Sequence, residues 1–379
     1  MIRRCAWWPR RRGAGSSASF GGCAWLMGNR RFERRVVIVS RVKRNPYVSL
    51  LCAGLNQAGL EARVEEGLSP GWVWRHRGKV DVVHLHWLEL LFLRPTLWRS
   101  LKLWALVMMG LILARALGVC VVYTVHNIQG HEGQRAWLVG LGNRVVFALA
   151  QAVHVHDECT AEVLRRRWGR RRGVYVIPHG NYLTAYRNEC SRAEARLRLG
   201  LPEGAFVYLF LGRVRPYKGL EELLAAFRAL DDPQAVLLIA GEVHDPGYDR
   251  RLRELAGGDE RVRLHLEFVG EDDVQTYMNA SDICVLPYRH VTISGAAILS
   301  FSFGVPILAP RIGCFVELAG AGERGILYDP EAPNGLVDAL REARRRELSA
   351  MRAACMAYAR RLDWKDIARQ HAAMYARCA

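Results

Sequence analysis

The sequence predicts an α/β fold in which two domains, each built on a parallel sheet, face one another across a central cleft. The 379 residues are too many for one ordinary core and suit two domains of about 150–200 residues each. Short apolar runs alternate with helical patterns in both halves of the chain, which is typical of parallel strands joined by helices. A polar stretch at Tyr182–Glu194 separates the two halves.

The elements follow the same order in each half. The first half opens with a strand at Val36–Ser40 and a helix that begins at Pro46 and ends at Gly59. Its further strands are predicted at Val80–Leu85, Val119–Val125, Ala152–Val155 and Val174–Ile177. The second half has a helix at Leu220–Leu230 and strands at Phe206–Leu211, Ala235–Ala240, Val262–Leu266, Ile283–Leu286 and Pro306–Ala309. Ligands are expected at the carboxyl ends of such strands, in the cleft between the domains.

The charge of the chain is distributed unevenly. Up to residue 190 there are 29 Lys and Arg against 11 Asp and Glu, whereas the remainder has 25 against 26. This asymmetry indicates that the first domain meets an anionic partner, which is phospholipid, a phosphorylated substrate or nucleic acid. The alternative is an arginine-rich surface without a partner.

The cysteines and the N-terminal segment restrict the class of protein to which this sequence can belong. None of the ten cysteines forms a C-x-x-C pair, so metal-ligand spacing is absent, and their scatter fits a reducing, cytoplasmic compartment. Residues 1–34 have no periodic apolar face and no long apolar core of a signal peptide. They are predicted to be a disordered extension, unless the true start is Met27.

One segment is unusually apolar. The uncharged stretch Leu103–Ala114 has 12 residues, which is fewer than the ~20 that a membrane-spanning helix needs. It is interpreted either as a buried core helix or as a helix that lies in the interfacial plane of a membrane.

The strongest signal for chemistry lies at Phe210–Phe227. Gly212 ends a strand, the loop after it carries Arg213 and Lys218, and an amphipathic helix follows. Arg grips phosphate oxygens through two donors and Lys acts as a point charge, so the pair is suited to neutralise a departing diphosphate. A strand, a glycine, a loop and a helix also follow one another in α/β folds that bind no phosphate.

This segment resembles the G-R-x-x-x-x-K-G-x-x-x-L-x-x-A-F element of nucleotide-sugar glycosyltransferases, particularly family 4 and related exopolysaccharide and glycolipid enzymes. Further pieces agree with that family in the same order, at residues 81–87, 123–127, 177–180, 280–288, 304–306 and 363–375. The resemblance implies the GT-B fold, in which two Rossmann-like domains face a cleft. It implies an acceptor-binding domain at 35–190, a nucleotide-sugar-binding domain at 191–362 and a C-terminal helix at 363–379 that crosses back to the first domain.

The activity that the resemblance implies is hexosyl transfer from a nucleotide-diphosphate sugar, either GDP-mannose or a UDP-sugar. The expected acceptor is lipid-linked or a glycan, at the cytoplasmic face of the cell membrane, with an anionic membrane surface as a partner. The expected localisation is therefore cytoplasmic and peripheral to the membrane.

The chain departs from the family at its paired glutamates. These should fall near Val291 and Leu299, where no carboxylate is present. Instead Ser294, Gly295 and Ala296 precede an apolar helical run, and the N–H groups of a helix N-terminus can face phosphates. Ser294 is alternatively a simple helix cap. The loss leaves the hold on the ribose and the stereochemical outcome of the reaction open.

No D-x-D triplet is present to hold a metal ion. We therefore expect a metal-independent enzyme without a cofactor. The diphosphate would be stabilised by Gly212, Arg213, Lys218 and the helix N-terminus at Ser294, Gly295 and Ala296.

The first domain should supply the groups that act on the acceptor. If the reaction inverts, a base must take the proton of the acceptor hydroxyl, and the candidates are His126, Glu132 and Asp157. His84 and His86 alternate on one strand and so share one face. Together with Trp87 and Asn127 they are predicted to line the acceptor site, although His84, His86 and Trp87 are alternatively core.

Two other classes of protein remain as alternatives. A nucleotide-sugar epimerase of the same fold would release free sugar and need no acceptor. A nucleic-acid-binding protein would account for the basic half. However, no nucleic-acid-binding module is visible in the sequence, and no nucleic-acid partner is expected.

Overall fold

The computed structural model describes residues 34–127 and 135–378, which form two six-stranded parallel sheets with helices packed on them. The strands are β1 (Arg35–Val39), β2 (Glu61–Glu65), β3 (Val82–His86), β4 (Cys120–Thr124), β5 (Ala152–Val155), β6 (Val174–Val176), β7 (Phe206–Leu211), β8 (Ala235–Ala240), β9 (Val262–His265), β10 (Ile283–Val285), β11 (Ile307–Pro310) and β12 (Gly325–Tyr328). The predicted α/β class with two parallel sheets is confirmed. Residues 1–33 of the predicted N-terminal extension lie outside the described residues.

Fifteen α-helices lie in the described part of the chain. They are α1 (Tyr47–Gln57), α2 (Pro70–Arg75), α3 (Leu88–Phe92), α4 (Leu97–Ala116), α5 (Ala136–Leu149), α6 (Glu158–Trp168), α7 (Arg192–Arg198), α8 (Leu220–Arg228), α9 (Pro246–Ala256), α10 (Val274–Ala280), α11 (Gly295–Ser302), α12 (Phe315–Ala319), α13 (Gly335–Arg345), α14 (Ser349–Arg361) and α15 (Trp364–Ala376).

The strand order places a ligand crevice in each sheet. The orders are β2-β1-β3-β4-β5-β6 and β12-β11-β10-β7-β8-β9. In each sheet the strand order switches from one side of the first strand to the other. The crevices therefore lie at the carboxyl ends of β1 and β3 in the first sheet and of β7 and β10 in the second. The segments that follow these strands therefore hold the expected ligand sites.

The C-terminal helix α15 packs on the first sheet. A Cβ atom on Gly54 of α1 would lie only 3.0 Å from the Trp364 carbonyl oxygen, so the two helices are in close contact. The Tyr375 carbonyl accepts a hydrogen bond of 2.7 Å from Arg34. Trp364 also closes on Gly180, where a Cβ atom would lie 2.4 Å from the indole ring. A side chain at position 180 would therefore displace the helix.

Helix α4 has one buried face and one exposed face. Val107, Met108, Leu111 and Ala114 are buried, whereas Ile112 is 53% exposed. Among the described residues α4 is a helix of 20 residues that is long and apolar enough, by length and composition, to cross a membrane, and 33% of its most apolar window is buried. The core helix of a soluble protein can have the same length and apolar composition. The prediction that this segment is too short to span was wrong, because it counted only the uncharged residues.

Candidate active site

A narrow cleft lies between the carboxyl ends of β5 and β6 and helices of the second half. Its lining residues are His156, Asp157, Pro178, His179, Ile293, Ile298, Cys314, Glu317, Leu318, Tyr358 and Leu362. Of the two predicted catalytic residues that the structure describes, His126 and Asp157, Asp157 lines this cleft. Glu132 lies outside the described residues.

Asp157 follows strand β5 and caps helix α6. Its Oδ1 accepts from the Thr160 backbone N–H at 2.7 Å and its Oδ2 accepts from the Thr160 hydroxyl at 2.9 Å. The side chain is buried, and this burial raises the pKa of the carboxyl to about 6 against the opposing effect of the two hydrogen bonds. Asp157 is therefore a carboxylate at neutral pH that can still take up a proton.

His126 lies in the protein interior, behind the residues that line this cleft. Its ring stacks on Trp87 at 3.7 Å between centroids, and its Nε2 lies 2.9 Å from Nδ1 of His86. One of these nitrogens donates and the other accepts, so Nε2 of His126 is occupied within the protein. Burial lowers the pKa of His126 well below its usual range, which makes its ring a weak base.

His84 and His86, for which the acceptor site and the core were the two alternatives, do not line this cleft. Both side chains are fully buried. His84 forms hydrogen bonds with the Tyr375 hydroxyl at 2.8 Å and the Thr124 hydroxyl at 2.7 Å. Both of its ring nitrogens are therefore bonded inside the protein core. These strands lie inside a parallel sheet covered on both faces, where polar side chains also become buried. Asn127 is half-buried, and its amide lies 3.5 Å from the Glu89 carboxylate.

A group of seven buried histidines, which we call the histidine core, fills this end of the first sheet. Its members are His84, His86, His126, His154, His156, His179 and His371. Rings of four of them, His86, His126, His156 and His179, lie 4.7–5.6 Å from the ring of Tyr47. Burial lowers the pKa of each member, in His179 and His371 to about 4. The histidine core is therefore neutral at pH 7.

The predicted diphosphate loop lies in the crevice between β7 and β10. Gly212 has φ 147°, Arg213 is exposed, and Gly219 has φ 71° with no room for a Cβ atom, which would lie 2.0 Å from the Pro287 carbonyl oxygen. The Lys218 ammonium lies 3.5 Å from the centroid of the Tyr288 ring. Burial lowers the pKa of Lys218 to about 7.

The segment at Ser294 closes the cleft from the second half. Ser294 Oγ accepts from the Ala297 backbone N–H at 3.2 Å, so its side chain caps α11. The first N–H groups of the helix, at Gly295 and Ala296, remain free of intrahelical bonds. Gly295 lies beside the first domain, since a Cβ atom there would be 3.3 Å from the Tyr182 hydroxyl.

The sequence analysis missed three cleft residues. Glu317 on α12 lies in the cleft with Asp157 and contributes to the raised pKa of that carboxyl. His156 and His179 line the first-domain side. The signal for His156 was present, because it directly precedes Asp157 at the end of a strand whose alternate residues are histidines. Nothing in the sequence around Glu317 distinguished it from a surface carboxylate.

Comparison with known proteins agrees with this architecture. The family model for glycosyl transferases group 1 matches residues 191–362. A GDP-mannose:glycolipid 4-beta-D-mannosyltransferase of Xanthomonas campestris pv. campestris is 29% identical over 283 residues, which cover 70% of this chain and 73% of that protein. A D-inositol 3-phosphate glycosyltransferase of Streptomyces avermitilis is 26% identical over 330 residues, which cover 81% and 66%.

Solved structures match the fold over most of the chain. The structure of Anabaena HepE in complex with UDP-glucose superposes with a TM-score of 0.73 at 17% sequence identity, covering 90% of this chain and 99% of that one. Residues 191–362 thus belong to the glycosyl transferases group 1 family, and the chain is a glycosyltransferase with the GT-B fold.

Proposed function

We propose that this glycosyltransferase moves a mannosyl group from GDP-mannose to a lipid-linked sugar acceptor at the cytoplasmic face of the membrane. The observation that carries the proposal is the position of Asp157. It lies in the cleft opposite the first turn of α11, on the side where an acceptor would approach a donor held by the second domain. The donor and the glycolipid class are suggested by the mannosyltransferase of Xanthomonas campestris, whose name states both.

The proposed reaction inverts the anomeric configuration. The product of the Xanthomonas relative is named as a β-mannoside, whereas GDP-mannose carries an α-linked sugar. In such a step the acceptor oxygen forms its bond to C1 as the bond from C1 to the diphosphate breaks, and the acceptor proton passes to a base. Asp157, whose carboxyl has a pKa of about 6, is suited to that role near neutral pH. Arg213 and Lys218 stabilise the charge of the departing GDP.

Donor binding should not require a metal ion. The described residues contain no group of three His, Cys, Asp or Glu that could hold one. We expect GDP-mannose at 100 times its Kd to stabilise the protein by ~2.7 kcal/mol in a thermal-shift assay, equally with and without excess chelator. UDP-glucose serves as the comparison donor. Stabilisation that vanishes in chelator and returns with magnesium would reject the metal-free site, and stabilisation by UDP-glucose alone would reject GDP-mannose.

Lys218 should make donor affinity depend on pH. With a pKa of about 7 the side chain is largely uncharged above neutrality, yet a diphosphate binds its ammonium form. Binding therefore takes up a proton, and the Kd for GDP should rise about tenfold per pH unit between pH 7.5 and 9. Isothermal titration of GDP measures this. Lys218→Arg is the matched variant because Arg stays charged, and its Kd should not change with pH. A flat profile in the unmodified protein would remove Lys218 from the diphosphate site.

The membrane partner is proposed from one surface of the first half. We define the α4–α5 face as Trp98, Arg99, Lys102, Met109, Ile112, Trp137, Leu141 and Arg144. Trp98 is 82% exposed and Trp137 is 58% exposed. The two helices pack together, since a Cβ atom on Gly142 would lie 3.2 Å from the Trp104 nitrogen. Exposed aromatic and aliphatic side chains beside basic ones are complementary to an anionic lipid surface.

Binding to anionic vesicles tests this face. Each basic side chain near the surface contributes ~1 kcal/mol, within a Debye length of ~8 Å at physiological salt. We expect Trp98→Ser combined with Lys102→Glu to abolish co-sedimentation with phosphatidylglycerol vesicles. The matched control is Leu197→Ser, at a side chain that is 81% exposed in the second half. Equal binding of both variants, or equal binding to neutral vesicles, would contradict the proposal.

A further inference from the structure

The hydrogen bonds around Ile177 fix the tautomer of His156. The Ile177 carbonyl oxygen accepts from His154 Nε2 at 2.8 Å and from His156 Nδ1 at 3.3 Å. A carbonyl oxygen can only accept, so Nδ1 of His156 carries the proton. Nε2 of His156 therefore presents a lone pair and must receive a hydrogen bond from a donor.

No such donor is found among the described residues. His156 Nε2 is buried, and no protein group within 34–127 and 135–378 bonds it. A buried acceptor without a partner costs about 1–3 kcal/mol, so a donor from outside the described residues is expected. His156 also lines the cleft beside Asp157.

A second unsatisfied group lies close to the first. The Tyr47 hydroxyl is buried without a partner among the described residues, and the Tyr47 ring lies 5.6 Å from the His156 ring between centroids. The donor that His156 requires must carry a proton, as a hydroxyl group does, whereas a carboxylate has none to donate.

We propose that His156 Nε2 accepts a hydrogen bond from a hydroxyl group of the acceptor sugar, which makes His156 an acceptor-binding residue beside Asp157. The inference rests on the proposed function, because it takes the cleft to be the acceptor site. The hydroxyl bound by His156 is a neighbour of the reacting one, whose proton passes to Asp157. His156 thereby holds the sugar ring in position for attack.

Imidazole ¹⁵N NMR tests the contact directly, with n-octyl β-D-glucopyranoside below its micelle concentration as the probe and GDP bound. We expect the Nε2 resonance of His156 to shift on addition of the glycoside. The resonances of His76, whose Nδ1 bonds Trp72 on α2, should not move. An octyl sulfobetaine, which has no sugar, controls for the alkyl chain. Absence of a glycoside-specific shift at His156 would overturn the inference.

Two variants separate recognition from packing. His156→Gln keeps an acceptor near the position of Nε2, and His156→Leu removes it. We expect the Kd for the glycoside to rise about tenfold in the Leu variant and less than about threefold in the Gln variant. Equal losses in both variants would reduce His156 to a packing role and overturn the inference, and melting temperatures show that both are folded. The proposed function is judged separately, by stabilisation with GDP-mannose, so either can fail without the other.

Discussion

Replacing Asp157 by Asn should lower kcat/KM for mannosyl transfer by about 100-fold to 10,000-fold, the usual contribution of a general base. Asn is the informative substitution, because its oxygen can still accept from the Thr160 backbone N–H and so preserves the cap of α6. The Kd for GDP should stay within about twofold, since Asp157 does not contact the diphosphate loop in this account. Steady-state kinetics and titration of GDP provide the two readouts.

The pH profile of activity and the same substitution at another helix cap provide the controls. Activity should rise with pH through about 6 as the Asp157 carboxyl ionises, and the Asn variant should lack this limb. Asp245→Asn makes the same change at the cap of α9, where Asp245 accepts from the Gly247 backbone N–H at 2.8 Å. That variant should keep full activity. If Asp157→Asn retains most of its turnover, the base lies elsewhere, and residue 132 becomes the next candidate.

Acidification should unfold the protein steeply because of the histidine core. The folded-state pKa of each member lies below the ordinary value of about 6.5 that it regains on unfolding. The unfolded chain therefore takes up protons first as the pH falls below 6.5, and stability is lost over the range from 6.5 down to about 4. Each residue costs about 1.2 kcal/mol between pH 7 and 5.5, and seven together approach the whole stability of a domain.

Denaturant unfolding at several pH values measures this effect. The slope of the unfolding free energy against pH near 5.5 should correspond to the uptake of about six protons. His244→Asn, at an exposed histidine, should leave the slope unchanged. Stability that is constant between pH 7 and 5.5, or a slope of only one or two protons, would show that the histidine core is already charged in the folded protein.

The sequence analysis located the strands of the sheet interiors but not β2 and β12. Interior strands are covered on both faces and read as continuous apolar runs, as in Phe206–Leu211 and Ala235–Ala240. β2 and β12 are edge strands. β2 has the sequence EARVE, and β12 includes Gly325, so neither has the composition of a buried strand. Their pairing is set by tertiary contacts.

The sequence indicated which residue types belong to the candidate site and where they lie along the chain. It did not indicate how deeply those side chains are buried. Lys218 was found because its loop follows a strand that ends at Gly212, and Asp157 was one of three candidate bases in the first domain. Their shifted pKa values come from burial by segments distant in sequence, which no local pattern reveals. For the same reason, the sequence left His84 between the acceptor site and the core. Strand alternation gives the face on which a side chain lies, but only the docking of α15, whose Tyr375 bonds His84, shows that this face is covered.

The anomeric configuration of the product tests the central proposal most directly. GDP-mannose labelled with ¹³C at C1 would be incubated with the protein and a lipid-linked sugar extract, and the one-bond C1–H1 coupling of the mannolipid would be measured by NMR. We expect transfer into the lipid fraction with a β-linkage, which Asp157→Asn suppresses. An α-linked product, or free mannose with no lipid product, would contradict inverting transfer with Asp157 as the base.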